Sequence, residues 1–333
     1  TAHTHALSYD INGMLNLPLS DTLAIRLNAG YTSEAGFIDQ PSLYALDSAA
    51  TPIPAQPGNL LSPPTIYAKN GTNSYLYRTA RVAALWRPND DFHAQLSYYH
   101  QLSTADGYPY AAPIYGLKSL SSSDYTQAGT SDKVDMVALT LEYELGFATL
   151  TSNSSWADHE NASVGDVTSL YDNFPFYGAL YGGNPRALFT GYQGFADKPW
   201  AQEIRLASKA NASYDWVGGV FYKTEGTNIR EHDFYPGYLD YYNACVPVYG
   251  AGDGINPSRC GIGETAYTPA PLTTIDGIPI VKDQAYIGDF QTRYTDLAAF
   301  GEFTWHFAPS WSVTGGARLF RQTVSQSQQT GQI

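Results

Sequence analysis

The sequence has few charged residues and no cluster of positive charge. Charged residues make up 15% of the 333 residues, and 31 acidic side chains outnumber 18 basic ones. A protein that binds nucleic acid needs Lys and Arg grouped against the phosphates, and here the basic residues form no run. The composition therefore argues against a nucleic-acid partner.

The sequence also lacks a long apolar stretch. No apolar run approaches the roughly 18 residues that a membrane-spanning helix requires, which excludes a helical membrane protein. A membrane β-barrel is not excluded, because its strands alternate between apolar and polar residues. No secretory signal opens the chain, so we expect a mature or excised segment.

Cysteine is almost absent. Cys245 and Cys260 are the two cysteines, and they lie in a segment rich in Gly and Pro. This spacing favours a disulfide that closes a loop in an oxidising compartment and stabilises the fold by about 3 kcal/mol. The alternative is a pair of buried free thiols.

Tyrosine, in contrast, is abundant. The chain has 27 Tyr against 14 Phe and 6 Trp. A ring with a polar tip suits a boundary between lipid and water, so abundant Tyr with little charge is typical of a membrane β-barrel.

Alternation of apolar and polar residues recurs along the chain. In residues 7–17 the odd positions are apolar apart from a glycine, and the even ones are mostly polar. After a short break the pattern resumes over residues 23–31, with Arg26 and Asn28 on the polar face. This period of two predicts two strands joined as a hairpin.

Five such hairpins are predicted. Their paired segments are 7–17 with 23–31, 79–87 with 92–100, 134–145 with 147–156, 200–208 with 214–224, and 294–307 with 311–321.

Long connections separate the hairpins, at about residues 32–77, 101–133, 157–199 and 225–293. A compact soluble domain rarely contains such long connections, whereas membrane barrels alternate short periplasmic turns with long extracellular loops. The sequence therefore predicts an all-β protein, an antiparallel transmembrane β-barrel with about ten strands over residues 1–333.

Aromatic residues gather near the strand ends. Two girdles of such residues are expected at the two boundaries of the membrane, although a soluble β-sandwich also carries aromatics at its edges. The predicted girdle residues are Tyr31, Trp86, Phe92, Trp156, Trp216, Phe307 and Trp311.

Strand directions place both ends of the chain on the long-loop side. Outer-membrane barrels normally begin and end on the opposite side, so we expect an interior segment of a larger barrel. An incomplete barrel would expose two strand edges to lipid, so such a segment should not be stable alone.

Several short strings occur in the order found in one family. They are Gly30-Tyr31 with Gly36-Phe37-Ile38-Asp39, the segment 85–92 (LWRPNDDF), 202–208 (QEIRLAS), 216–222 (WVGGVFY) and 299–303 (AFGEF). Each is short, but together they cover most of the predicted strands. In this respect the chain resembles the barrel of TonB-dependent receptors, which import scarce nutrients across the Gram-negative outer membrane.

The resemblance implies a 22-stranded barrel, an amino-terminal plug and a segment that engages the TonB complex. Neither the plug nor the TonB segment is recognisable here, so energy coupling would run through parts of the parent protein not in this chain. The implied partners are outer-membrane lipid and a small-molecule or oligosaccharide ligand. The implied cargo is an iron-siderophore, a similar chelate or an oligosaccharide. The alternative is a passive porin or a ligand-binding barrel without energy coupling.

Tyrosines in the long connections are the candidate ligand contacts, because flat rings with polar tips stack on sugars or on catechol groups. Alternatively, they pack the loops against one another. The candidates are Tyr108, Tyr110, Tyr177, Tyr181, Tyr238, Tyr241 and Tyr242.

Charged residues in the polar phase of the strands are predicted to line the lumen. Ordinary cross-strand ion pairs are the simpler interpretation. These residues are Arg26, Arg81, Glu142, Glu144, Glu203, Arg205, Glu302 and Arg318.

The sequence predicts no catalytic residue, metal site or cofactor. No Ser has a His and an acid placed beside it in a nucleophile motif, so an enzyme is not expected. Glu231-His232-Asp233 could hold a cation, but a solvated charged loop explains the same residues.

Overall fold

The computed structural model describes residues 6–112, 119–172, 184–209, 213–245, 274–275, 278–279 and 281–332. Its strands are β1 (Tyr9–Pro18), β2 (Leu23–Glu34), β3 (Gln40–Tyr44), β4 (Ile66–Lys69), β5 (Tyr75–Trp86), β6 (Phe92–Ala105), β7 (Gly129–Glu144), β8 (Ala148–Asp166), β9 (Thr190–Asp197), β10 (Trp200–Ser208), β11 (Tyr214–Phe234), β12 (Thr274–Ile275), β13 (Ile278–Pro279), β14 (Gln284–Ala308) and β15 (Trp311–Gln332). Two short helices, α1 (Thr168–Asp172) and α2 (Tyr238–Cys245), lie in the connections.

One large antiparallel sheet contains all the predicted hairpins. Its strands follow the order β1-β2-β5-β6-β7-β8-β10-β11-β14-β15. Each of the five predicted pairs is confirmed by an antiparallel register. Among the described helices, none is long and apolar enough to cross a membrane.

β9 and β10 together fill one place in the sheet. β10 pairs with the first half of β8 and of β11, and β9 pairs with their second halves. Lys198 and Pro199 separate the two strands, and Pro199 has no N–H to donate to the ladder. The two strands are therefore one interrupted strand.

Several strands run further into the expected long connections than the sequence predicted. β8, β11 and β14 contain 19, 21 and 25 residues, and β15, with 22 residues, continues past its predicted end at Arg321 to Gln332. The connection predicted over residues 157–199 shrinks to about 167–189, and that over 225–293 to about 235–283. Apolar and polar residues do not alternate regularly in these strand ends, so the signal that reveals a strand is lost there.

The register separates the side chains into an apolar and a polar face. Leu27 pairs with Leu15 and Val82, and the same phase continues through Leu96, which is 50% exposed, to Leu297, which is 57% exposed. No second sheet covers this face in the part of the chain that the structure describes. A soluble monomer rarely exposes an apolar surface of this extent. The arrangement therefore excludes the sandwich and agrees with a lipid-facing wall.

The apolar face has the height of a membrane barrel's apolar band. On β14 it runs from Trp305 to Leu297, which is about 26 Å along the strand and about 20 Å across the membrane after tilting. On β6 and β7 the same face turns charged at His100 and Asp135, one pair beyond Tyr98. Strand segments beyond this line lie outside the membrane.

The buried core lies in the long connections. Ile38, Leu43, Leu188, Phe189 and Tyr235 are each at most 2% exposed. None of them belongs to a membrane-spanning part of a strand. The described residues of the four long connections therefore form a packed body, named here the loop layer.

A charge on the apolar face tests the assignment of the two faces. Leu96 and Ser97 are consecutive on β6, so they point to opposite faces. In the parent protein, Leu96→Arg puts a guanidinium near the middle of the apolar band and is expected to cost about 2–4 kcal/mol of unfolding free energy in lipid vesicles. Ser97→Arg is the matched control and is expected to change the same quantity by less than about 1 kcal/mol. Equal losses would contradict the assignment.

Candidate functional site

The polar face carries the charged residues that were predicted to line the lumen. The register places all eight on this face: Arg26, Arg81, Glu142, Glu144, Glu203, Arg205, Glu302 and Arg318.

Within this set Arg205 and Glu203 approach each other, with Nη1 and Oε1 4.0 Å apart, whereas other members meet partners outside the set. Glu142 meets His93, with Oε2 and Nε2 2.6 Å apart. Arg318 meets Asp296, with Nη2 and Oδ2 3.3 Å apart. The register decides which side chains are neighbours, and sequence alone did not supply it.

A cluster of hydroxyl and amide groups lies on the polar face of β5 and β6. The hydroxyl of Tyr99 donates to Oε1 of Gln101 at 2.7 Å, and the hydroxyl of Tyr77 donates to the same oxygen at 3.0 Å. Arg81 lies beside Tyr99 in the register. This trio, Tyr77, Tyr99 and Gln101, is named here the tyrosine cluster.

Sequence reasoning missed the tyrosine cluster, although a signal was present. Tyr98 and Tyr99 are consecutive, so strand alternation puts them on opposite faces. Tyr98 is on the apolar face and donates to Oδ1 of Asp135 at 2.6 Å. Tyr99 therefore had to be on the polar face.

An aromatic stack forms the core of the loop layer. Tyr171 and Phe189 have centroids 4.1 Å apart and nearly parallel rings. Tyr235 follows 4.5 Å from Phe189, and Tyr238 follows 4.9 Å from Tyr235. Ring pairs of this kind contribute about 0.5–1.5 kcal/mol beyond the burial of their area. The stack therefore joins the β8–β9 and β11–β14 connections.

Two charged side chains add further ties. The Arg186 guanidinium, in a residue 7% exposed, donates to the carbonyl oxygens of Leu60 at 2.7 Å and Ser62 at 2.6 Å. Asp283 accepts from the backbone N–H of Leu239 at 2.8 Å, near the start of α2. Three of the four long connections are thus linked, and the fourth joins them where the backbone N–H of Tyr44 donates to the carbonyl of Tyr125 at 2.8 Å.

The predicted ligand tyrosines have different places in this layer. Tyr238 and Tyr241 are 2% and 1% exposed, so they pack the loops, and the alternative interpretation applies to them. Burial removes them from contact with a ligand in this conformation. Tyr177 and Tyr181 lie outside the described residues, as does the side chain of Tyr242.

Tyr108 and Tyr110 remain accessible. Their rings stack with centroids 5.3 Å apart, and Tyr110 is 48% exposed. The Tyr110 hydroxyl donates to Oδ2 of Asp124 at 3.2 Å. This pair offers an exposed aromatic surface at the edge of the loop layer.

A crevice of about 330 Å³ adjoins these tyrosines and contains three carboxyl groups, those of Asp124, Asp166 and Asp172. Burial is the main cause that raises the pKa of each of them. Asp166 also accepts from the backbone N–H of Thr168 at 2.8 Å, which opposes that rise. Within the described residues, no group of three or more His, Cys, Asp or Glu side chains is arranged to hold a metal ion.

The candidate cation site at residues 231–233 and the predicted disulfide are the two remaining sequence predictions. His232 points to the outer face and meets Asp289 at 3.1 Å, whereas Asp233 on the opposite face accepts from Tyr171 at 2.7 Å. Alternation thus prevents the segment 231–233 from converging on one cation. The predicted disulfide between Cys245 and Cys260 lies outside the described residues, which do not include Cys260 or the side chain of Cys245.

Strand alternation places the predicted girdle residues on the apolar face: Tyr31, Trp86, Phe92, Trp156, Trp216, Phe307 and Trp311. Trp86 and Phe92 meet edge to face at 5.8 Å beside a short turn. Trp156 pairs with Trp200 nearer the loop layer. It stays a prediction that the aromatic residues beside the short turns and those nearer the loop layer mark the two membrane boundaries.

The fold is that of an outer-membrane β-barrel wall. No family model matches the chain. No curated protein matches it in sequence.

The chain is similar to solved structures of outer-membrane receptors and transporters. The ferric yersiniabactin uptake receptor FyuA from Yersinia pestis has a TM-score of 0.62 and 12% identity, over 97% of this chain and 41% of that one. The ferric-catecholate import receptor Fiu from E. coli K12, in its open form, has a TM-score of 0.49 and 10% identity, over 98% and 46%. The outer membrane transporter YddB from Escherichia coli has a TM-score of 0.49 and 12% identity, over 96% and 35%.

The likeness to the yersiniabactin receptor confirms the predicted fold class and the predicted resemblance to TonB-dependent receptors as a likeness of fold. The chain spans about two fifths of that receptor's length, 41%.

The raised pKa values of the crevice carboxyls predict a pH dependence of the loop layer. An acid with a pKa raised by folding binds more protons in the folded state, so its stabilising contribution is present below the ordinary carboxyl pKa, about 3.9, and declines as pH rises through the raised pKa. The backbone N–H of Tyr125 donates to the Asp166 carboxyl group. As the pH rises from the ordinary carboxyl pKa through the raised pKa, we expect hydrogen-exchange protection of this amide to fall.

Substitution of Asp124 by Asn keeps the shape and removes one ionisation, so it should weaken this decline. Asp90→Asn, in an exposed turn at the opposite rim, serves as the control and should leave the profile unchanged. A profile that rises with pH, or an equal effect of both variants, would contradict the assignment.

Proposed function

We propose that the chain forms part of the wall and mouth of an outer-membrane receptor that actively imports a scarce nutrient. The proposed cargo is an iron-siderophore, a similar chelate or an oligosaccharide. The proposed energy source is the TonB complex, acting through parts of the protein not in this chain. The yersiniabactin receptor, whose solved structure is similar in fold, is named as an uptake receptor.

The observation that carries this proposal is a polar inner wall beneath a packed loop layer. An open passive pore needs an unobstructed mouth, whereas here the connections have a core of their own, with Phe189 and Tyr235 each 1% exposed. A mouth built of packed loops favours capture of a specific ligand. Transport against a gradient then needs an energy supply.

The ligand contacts proposed within this architecture are the accessible aromatic groups. The stacked rings of Tyr108 and Tyr110 offer a surface for an aromatic or sugar ring at the outer edge. The tyrosine cluster offers hydroxyl donors on the inner wall. Flat rings with polar tips suit both ligand classes, so the two classes are tested in parallel.

The runner-up is a passive porin or a ligand-binding barrel without energy coupling. Its lumen would also be polar, so the inner wall alone does not separate the two functions. Dependence of uptake on the inner-membrane proton gradient does separate them.

Replacement of Tyr99 by Ala tests the inner-wall contact. The change removes a hydroxyl and a ring from the polar face, and we expect a roughly tenfold loss of affinity for the ligand, as for the loss of a hydrogen bond within a binding site. Tyr98→Ala, one residue away on the apolar face, is the matched control and should keep the affinity. Titration calorimetry with a panel of ferric chelates and oligosaccharides measures both.

Uptake of the ligand identified in this way is then followed in cells with and without a protonophore. We expect the protonophore to abolish accumulation in cells carrying the parent protein. Accumulation that is unchanged by the protonophore would support the passive alternative, and failure of every ligand in the panel to bind would remove the proposed cargo classes.

A further inference from the structure

A groove on the outer wall lies directly above the lipid-facing aromatic residues. It has a volume of about 490 Å³ and is lined by residues of β9, β11, β14 and β15 together with Lys198. Trp200 and Tyr222, with centroids 5.6 Å apart, lie just below it on the same face. Arg293 pairs with Gly226 in the register, four pairs beyond Tyr222 and Leu297 and on the same face.

The lining of this groove is cationic and rich in hydrogen-bond donors. Lys198 and Arg293 supply the charges, and Thr224, Asn228, Gln291, Ser325 and Ser327 supply hydroxyl and amide groups. No carboxylate lines it, although the chain has a net charge of -13. The groove therefore has the character of an anion site.

Gly226 forms the floor between the two cations. The backbone N–H of Lys198 donates to the carbonyl of Gly226 at 3.2 Å, and Arg293 is its partner on the other side. A Cβ added at Gly226 would meet nothing within 4 Å, so the space above it is open. Neighbouring strands lie about 4.8 Å apart, so the two flanking strands are separated by about 10 Å, a span that lets both side chains reach one phosphate.

The charges near the groove are not equivalent. The Lys198 ammonium also meets Asp158 on β8, with Nζ and Oδ2 3.0 Å apart, and its side chain is 56% exposed. Arg293 is exposed and has no ion-pair partner among the described residues. Arg293 is therefore the main charge available to an incoming anion, with Lys198 shared between that anion and Asp158.

The height of the groove identifies the kind of anion. Lys198 is two residues from Trp200, which is about 7 Å along the strand, and Arg293 is four residues from Leu297, about 13 Å. After tilting, these positions fall at the level of lipid headgroups, where basic side chains attract anionic lipids.

We propose that Lys198 and Arg293, flanking Gly226, bind the phosphate of an anionic lipid headgroup in the outer leaflet. The site is separate from the polar inner wall and goes beyond the proposed uptake function. It anchors the loop side of the wall to the membrane surface.

Retention of lipid in native mass spectrometry tests the proposal, with the parent protein in nanodiscs of phosphatidylcholine doped with lipopolysaccharide or with phosphatidylglycerol. The double variant Lys198→Gln with Arg293→Gln is expected to weaken binding of both anionic lipids by roughly 25-fold, about fivefold for each charge removed. Gly226→Leu fills the floor while it keeps both charges, and it is expected to weaken binding at least about tenfold by steric exclusion.

The control removes the same charge at the opposite rim, in Arg87→Gln with Lys209→Gln. Lys209 is ion-paired with Glu144 at 3.1 Å, as Lys198 is with Asp158, which makes the comparison close. We expect this control to keep full lipid binding. Equal losses in both double variants would reduce the effect to net charge and overturn the proposal.

Two further results would also overturn it. The first is unchanged lipid binding in the Lys198 and Arg293 double variant. The second is an affinity for inorganic phosphate alone that equals the affinity for the anionic lipids, because the site would then bind a free anion. Loss in Gly226→Leu together with the double variant, and no loss in the control, supports a headgroup site.

Discussion

The antiparallel backbone ladder is the constraint on which the rest of the structure depends. In hydrocarbon an unpaired N–H or C=O costs several kcal/mol, so strands that cross a membrane must pair with their neighbours. Pairing in turn fixes alternation, and alternation sends Leu96 to one face and Ser97 to the other. The apolar band, the polar inner wall and the register of charged residues all follow from this one requirement.

The same ladder continues beyond the membrane and supports the loop layer. There the strands serve as a frame for the connections between them, and Ala285 at the start of β14 is buried in the core of the loop layer. The stack of Tyr171, Phe189 and Tyr235 then supplies the core that a single membrane-spanning sheet does not have. One continuous sheet therefore carries three features at different heights. They are the polar wall within the membrane, the cationic groove at the level of the headgroups and the packed mouth above.

A strand could be recognised in the sequence where one of its faces is apolar and the other is polar. The hairpins were predictable because one face of each strand is apolar, whereas residues 157–166 are mostly polar on both faces and were assigned to a loop although they extend β8. Composition also could not tell a ring that packs a loop, such as Tyr241, from an exposed one, such as Tyr110. The alternation rule alone places Tyr99 and Gln101 on one face of β6, but their contact with Tyr77 on the neighbouring strand needed the register. The cationic groove needed three-dimensional coordinates, because its two cations are far apart in sequence.

Collision measurements along β11 test most directly whether one face of the sheet touches lipid. A nitroxide is attached in turn at each of positions 216–223, and its accessibility to oxygen, which concentrates in lipid, is compared with that to a water-soluble nickel chelate. We predict a period of two, with the even positions accessible to oxygen and the odd positions accessible to the nickel chelate. Protection of the even positions from both reagents, as between two stacked sheets, would contradict a lipid-facing wall.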